Sequence, residues 1–235
     1  MPIDMIVCDL DGTLLRMDKT VSEYTLDVLH KCRARGVKFA IATARNLEMA
    51  IPFVDMLKPD VLIYQGGALA ASGSQIVYSK PLDAKDAIAI MNGLLGRDDV
   101  TIIISEGEDY RTTGFAGRYP DKLHNISFGL KGSLGDFGKD FTNVGIIQYR
   151  GENLVRFAHI DATKWRAVQA CAAQLGIDMA NIAAFGDDSI DIDMIENCGI
   201  GVAMSNAIDE AKAVADFVCD TNDNDGVARW LEENF

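Results

Sequence analysis

The run Ile6-Val7-Cys8-Asp9-Leu10-Asp11-Gly12-Thr13 decides the fold. A short apolar run that ends in a glycine-containing turn predicts a buried strand over Ile6 to Leu10, whose carboxyl end opens into Asp-Leu-Asp-Gly-Thr. Downstream, Leu26, Leu29 and Cys32 share one face of a helix over Ser22 to Arg35, which Gly36 closes. Val37 to Thr43 is the next buried strand. A helix over Leu47 to Leu57 then leads past Pro59 to a strand over Val61 to Tyr64. A β-α-β-α-β order of this kind predicts a parallel sheet with right-handed crossovers.

The pattern changes after Pro81. A helix is expected over Lys85 to Leu95. Strands are expected over Val100 to Ser105, Val144 to Tyr149 and Leu154 to Ile160, with a glycine-rich stretch from Gly114 to Gly138 between the first and second. The last two strands flank Gly151 and Glu152, which predicts an antiparallel hairpin. Alternation then returns, with helices over Lys164 to Leu175, Asp191 to Asn197, Ala207 to Ala215 and Val227 to Glu232. The strands between them are Ile182 to Phe185, Ile200 to Val202 and Phe217 to Cys219. The predicted organisation is an α/β core of residues 1–81 and 160–235, interrupted by an α+β module at 82–159.

Composition narrows the function classes. At 49% apolar and 24% charged residues the chain is an ordinary globular one. It has no apolar run of the ~18 residues that a membrane span needs. Its beginning lacks the basic, apolar and small-residue regions of a secretory leader, so a cytoplasmic protein is expected. The five cysteines, Cys8, Cys32, Cys171, Cys198 and Cys219, are widely spaced and mostly in apolar stretches, as buried thiols in a reducing compartment would be. A net charge of −13 excludes nucleic acid as the expected partner, because such binding rests on basic side chains. Leu82 to His159 carry nine Lys and Arg against eleven Asp and Glu, so most of the acidic excess lies in the core halves.

Ligands of open parallel sheets bind outside the carboxyl ends of the strands. The residues there are Asp9 and Asp11 after the first strand, Thr43 and Arg45 after the second, and Asp187, Asp188 and Asp191 after the strand that ends at Phe185. Converging carboxylates stay ionised together only around a cation, and an all-oxygen set favours Mg²⁺. Asp9 and Asp11 straddle one residue, and Gly12 permits the turn that aims both into one pocket. One can then be a nucleophile on phosphorus and the other a proton donor and acceptor.

Asp9-Leu10-Asp11-Gly12-Thr13-Leu14 resembles the first signature of the haloacid dehalogenase (HAD) superfamily. Thr43-Ala44-Arg45 resembles the second, Lys164 in Thr-Lys-Trp the third, and Gly186-Asp187-Asp188-Ser189-Ile190-Asp191 the fourth. The insertion between the second and third signatures, and the ending from Ala203-Met204-Ser205-Asn206-Ala207 to Asn224-Asp225-Gly226-Val227-Ala228, are similar to the Cof-type subfamily. The resemblance implies a HAD-like Rossmannoid core with a parallel sheet and an inserted cap that selects the substrate. It implies Asp9 as the nucleophile that becomes a phospho-aspartate, Asp11 as general acid and base, and Thr43 and Lys164 as the other catalytic groups. Leu10, Thr43, Ala44, Arg45, Lys164 and Asn206 are then candidate substrate contacts, with Asn206 also expected to cap a helix near the site. Mg²⁺ would be held by the Asp9 carboxylate, the Asp11 carbonyl and Asp187, with Asp191 steadying the ligands.

Two positions depart from the family pattern. Ile190 stands where an Asn usually helps to hold phosphate, and Gln65-Gly66-Gly67-Ala68 stands where Asn-Gly-Ala is common. The expected activity is Mg²⁺-dependent hydrolysis of a small phosphorylated metabolite, such as a sugar phosphate, phosphoglycolate or a nucleotide-related compound, by a monomer or weak homodimer. Alternatives are a sugar phosphomutase, for which Arg111, Arg118 and Lys122 are candidate second-phosphate contacts, and a catalytically weakened phospholigand binder, to which Ile190 points. Tyr110, Phe115 and Tyr119 are expected in the core of the cap or lining its inner face.

Overall fold

A computed structural model describes residues 2–105, 108–109, 122–149 and 153–235. In chain order the elements are β1 (Met5–Cys8), α1 (Glu23–Ala34), β2 (Lys38–Ala42), α2 (Leu47–Leu57), β3 (Val61–Tyr64), β4 (Leu69–Ser72) and β5 (Gln75–Ser79). They continue with α3 (Ala84–Leu95), β6 (Val100–Ser105), β7 (Glu108–Asp109), β8 (Asn125–Leu130), β9 (Val144–Gln148) and β10 (Leu154–His159). The last are α4 (Lys164–Leu175), β11 (Ile182–Gly186), α5 (Ile192–Asn197), β12 (Ile200–Met204), α6 (Asp209–Val214), β13 (Phe217–Cys219) and α7 (Gly226–Asn234). The chain divides into two compact units, one reaching Tyr78 and resuming at Thr163, the other Ser79–Ala162.

The first unit is an α/β layer structure on an eight-stranded sheet in the order β13-β12-β11-β1-β2-β3-β4-β5. From β13 through β3 neighbouring strands pair in parallel. β1 shows why its sequence is apolar without alternation. Ile6 and Cys8 enter the core on one face, among residues of α1, α2 and α7. Met5 and Val7 enter the core on the other, with Ala167, Val168 and Cys171 of α4 and Met194 of α5. A parallel strand covered by helices on both sides has no solvent face to make polar.

The expected parallel sheet is present and is extended at one edge by two strands that were not expected: β4 runs antiparallel to β3, and β5 lies beyond it. In β4, Leu-Ala-Ala-Ser has little of the β-branched and aromatic character that marks strands, whereas Ile76, Val77 and Tyr78 of β5 do carry it and were passed over. Gly73, at φ 57°, makes the turn between them.

The second unit is an antiparallel sheet in the order β7-β6-β8-β10-β9, with α3 packed on one face. The expected hairpin is present, with Val155 opposite Gln148 and Phe157 opposite Ile146. β8 falls inside the stretch read only as glycine-rich. Its Ile126, Phe128 and Leu130 point into the core beside Leu94, Ile103 and Phe157, and Phe128 meets Phe157 edge-on at 5.4 Å. Tyr110, Arg111, Phe115, Arg118 and Tyr119 lie outside the described residues, and Lys122 is exposed. Among the described residues no helix is long and apolar enough to cross a membrane, and all five cysteines are free and buried.

Candidate active site

The candidate residues gather at the carboxyl ends of β1, β2 and β11, at the centre of the large sheet. The Asp9 amide extends the ladder by donating to the Phe185 carbonyl (3.0 Å), after which the chain turns, with Leu15 N–H donating to the Leu10 carbonyl (2.8 Å). Gly12 sits at φ 82°, and a Cβ there would lie 2.3 Å from an Asp187 carboxylate oxygen. Glycine is therefore needed for both the turn and the close approach. Leu10 has its side chain wholly in the core, so only its backbone is available to a ligand.

On β11, Gly186 makes the matching approach, since a Cβ would lie 2.4 Å from the Asp191 Cβ. Asp191 is buried, and one of its oxygens accepts the amides of Asp187 and Asp188, both at 3.1 Å. Its other oxygen accepts Lys164 Nζ at 2.6 Å. Asp191 thus shapes the loop that presents Asp187. Asp188 caps the short turn before α5, and its oxygen accepts the Ser189 amide.

Lys164 opens α4 with a side chain of zero exposure, and its ammonium also donates to Asp9 Oδ1 at 2.6 Å. A helix start is unfavourable for a cation, so the two carboxylates are what hold this one. The loop after β3 packs on the same helix start, and a Cβ on Gly67 would lie 2.1 Å from the Thr163 carbonyl carbon.

Carboxylate oxygens of Asp9, Asp187 and Asp191 lie within 4.8 Å of one another. Burial pushes the Asp9 carboxyl well above the ordinary range, against the pull of Lys164. Burial likewise raises Asp187 to about 7, although Thr13 donates to it at 2.7 Å. For Lys164, burial works to lower the pKa, and Asp191 and Asp9 outweigh it so that the net movement is upward. Three carboxylates around one ammonium leave negative charge that a divalent cation would neutralise, and hard oxygen donors suit Mg²⁺. The residues therefore fit the metal that the family pattern implies.

Asp11 faces a different environment. Arg45 grips it through two bonds of 2.7 Å, and Lys19 Nζ adds a third at 2.8 Å. Burial pushes this carboxyl up, but the hydrogen bonds from Arg45 and Lys19 prevail and hold it at about 2. Arg45 also stacks over the Phe53 ring at 4.6 Å. Thr43 is buried, and its hydroxyl accepts the Arg45 amide at 3.2 Å. Ala44, between them, is exposed.

Asn206 does not cap a helix as expected, because the N-cap of α6 is Ile208, with no side-chain cap bond. The Asn206 amide instead donates to the Gly12 carbonyl at 2.7 Å, and its oxygen accepts the Asn222 amide at 3.1 Å. Ile190 is half-buried in the turn before α5 and brings no polar group. Lys19 was missed by sequence reasoning. Its contact depends on a left-handed backbone at φ 64° within an exposed turn, which a Lys does not advertise.

Comparison with known proteins gives a concordant result. A family model described as haloacid dehalogenase-like hydrolase matches residues 6–127 and 129–231. A Haemophilus influenzae protein is 30% identical over 98% of this chain and 97% of its own length. The 5-amino-6-(5-phospho-D-ribitylamino)uracil phosphatase YitU of Bacillus subtilis is 29% identical over 98% of this chain and 97% of its own. Among solved structures, a haloacid dehalogenase-like hydrolase from B. subtilis superposes with a TM-score of 0.85, at 20% identity, over 99% of this chain and 100% of that one.

Proposed function

This chain belongs to the haloacid dehalogenase-like hydrolases and is a phosphoric monoester hydrolase of that family; from that premise we propose that it is a Mg²⁺-dependent phosphatase acting through a phospho-aspartate on Asp9. The observation that carries the reading is the placement of Lys164 Nζ at 2.6 Å from both Asp9 and Asp191, with the Asp187 carboxylate inside the same cluster.

In this reading Asp9 attacks phosphorus with one carboxylate oxygen while Lys164 fixes the orientation of the other. The Thr43 hydroxyl and the Ala44 amide hold oxygens of the transferring group. Phosphoryl transfer is mostly positioning and charge neutralisation, so these fixed donors act where negative charge gathers. Mg²⁺ would be held by Asp9, Asp187 and the Asp11 carbonyl, with Asp191 bracing the Asp187 loop, and it would supply positive charge beside the phosphoryl oxygens. Asp11 gives a proton to the departing alcohol oxygen and later takes one from the water that cleaves the phospho-aspartate. Arg45 and Lys19 hold Asp11 ionised, so the pair with Arg45 opens before Asp11 carries a proton. An incoming phosphate dianion is a competing partner for that guanidinium.

The substrate is a small phosphorylated metabolite, and a phosphate on a sugar or polyol chain is the class favoured. The phospho-ribityl compound in the name of the B. subtilis relative supports that class. We place selection among such compounds in the inserted second unit. The cytoplasm is the proposed location, which the five free buried thiols support.

The test is phosphate release from a panel of sugar, polyol and nucleotide monophosphates with and without Mg²⁺, beside Asp9→Asn. Turnover that needs both the metal and Asp9 is expected. Metal-independent turnover, or turnover surviving Asp9→Asn, would overturn the reading.

A further inference from the structure

Asp11 lies at the start of a long connection between β1 and α1, so its aim depends on what holds that connection as well as on the grip of Arg45. Within the connection, Arg16 N–H donates to the Thr20 carbonyl (3.0 Å) and Lys19 N–H to the Arg16 carbonyl (2.9 Å). These bonds form a tight turn whose tip carries Lys19 onto Asp11. Leu14 and Leu15 anchor the segment in the core, and several of its hydrogen bonds come from the other end of the sequence.

Asn206 donates to the Gly12 carbonyl at 2.7 Å and accepts the Asn222 amide at 3.1 Å. Asn222, itself buried, donates to the Leu15 carbonyl at 2.8 Å. Asp223 accepts the Met17 amide at 2.9 Å. Asp225 accepts Arg16 Nη2 at 2.7 Å and Nε at 3.3 Å, the Ser22 hydroxyl at 2.8 Å and the Thr25 hydroxyl at 3.2 Å. The Asp225 backbone is left-handed, at φ 56°, a conformation unfavourable for a residue with a side chain. The gathering of both ends of the turn onto its carboxylate gives the strain a physical reason.

The C-terminal helix has docking contacts of its own besides these bonds. Val227, Ala228, Trp230 and Leu231 of α7 are buried in the core. The outer face of that helix has its own ties, from Tyr24 to Glu232 and from Arg35 to the Phe235 carbonyl. The contacts from Asn206 and Asn222–Asp225 fall instead on the segment that follows Asp11.

We propose that Asn206, Asn222 and Asp225 are positioning residues that set the aim of the Asp11 carboxylate by clamping the segment from Gly12 to Thr25. The inference rests on the reading in which Asp11 protonates the leaving oxygen. A good aryloxide leaving group departs without that proton, whereas an alkoxide needs it, so loss of aim discriminates between esters.

The experiment compares kcat/KM for an alkyl phosphate and for p-nitrophenyl phosphate, in the wild type and in Asp225→Asn, Asn206→Ala and Asp11→Asn, all with Mg²⁺. Asn tolerates the left-handed backbone and Asn206 is exposed, and thermal melts of both positioning variants check that each is folded before the rates are compared. The ratio of the two kcat/KM values is also independent of the fraction of active protein. General acids contribute about 10²–10⁴-fold, so the alkyl ester should lose about ten-fold or more in both positioning variants and the aryl ester less than about three-fold. Asp11→Asn should give the same selectivity, more strongly. Equal losses on the two esters, or none, alongside a selective Asp11→Asn would overturn the inference alone. A wild type that hydrolyses neither ester, or an unselective Asp11→Asn, would overturn the reading of Asp11 and the inference with it.

Discussion

The Lys164 ammonium lies 2.6 Å from Asp9 Oδ1 and 2.6 Å from Asp191 Oδ1, with no exposed surface of its own. One buried cation thus orients the candidate nucleophile and secures the residue that shapes the Asp187 loop. Lys164→Met keeps much of the volume and leaves the buried carboxylates without their cation. Removing one partner of a buried ion pair costs about 3–5 kcal/mol, part of which protonation of the carboxylates recovers. Urea unfolding in EDTA should show the loss, Mg²⁺ should raise the melting temperature of the variant more than that of the wild type, and phosphatase activity should fall by at least about a hundred-fold.

The metal-free protein should lose stability as pH rises from 5 to 7. Burial raises the Asp187 carboxyl to about 7 and moves Asp9 in the same direction. Between the ordinary value near 4 and the raised one, the folded state binds more protons than the unfolded state, so unfolding free energy falls with pH through the Asp187 window up to about 7, and Asp9 adds to the fall in the same direction. Asp11, held at about 2, works the other way, but its window lies below about pH 4 and does not overlap. Saturating Mg²⁺ should flatten or reverse the slope, because the metal favours the ionised carboxylates. Chemical denaturation at pH 5, 6, 7 and 8, in EDTA and in Mg²⁺, reads both slopes directly.

Gly12→Ala places a methyl group 2.3 Å from an Asp187 oxygen on a backbone at φ 82°. Both problems push the β1 turn away from β11. A stability loss of about 1–3 kcal/mol is expected from the backbone alone, with weaker Mg²⁺-induced thermal stabilisation because Asp187 is displaced. Thermal melts across a Mg²⁺ titration separate the two effects.

Arg45→Lys keeps the charge but loses the two-bond grip on Asp11 and the stacking on Phe53. A planar guanidinium is not replaced by an ammonium at such a site. KM for a phosphate monoester should rise by about ten-fold, the effect of losing roughly 1.4 kcal/mol of binding, with a smaller change in kcat. Steady-state kinetics on one substrate from the panel decides it.

How much of this was legible depended on locality. β1 and the turn at Gly12 could be read because a strand buried on both faces is apolar throughout and the turn demands glycine. Lys164 could be placed at a helix start because Thr163 caps that helix, its hydroxyl accepting the Arg166 amide. β4 could not be read, since Leu-Ala-Ala-Ser carries little strand character, whereas β8 does show the alternation of a half-buried strand at Ile126, Phe128 and Leu130 and was masked only by the glycine-rich stretch around it. The contacts of Lys19 with Asp11 and of Asn206 with Gly12 depend on backbone turns and on a fold that joins distant segments, and no local pattern records them. Asn206 illustrates the hazard: a polar residue just ahead of a helix reads as a cap, while here its amide is occupied by a carbonyl from the opposite end of the chain.

The most direct test of the central claim is acid-quenched peptide mass analysis of the enzyme mixed with a hydrolysed phosphate ester and Mg²⁺. The account predicts a single phosphoryl group on the peptide containing Asp9, transient in the wild type and absent from Asp9→Asn. Rapid phosphate release with no label on Asp9 at any quench time, or a label on Asp11 instead, would contradict it.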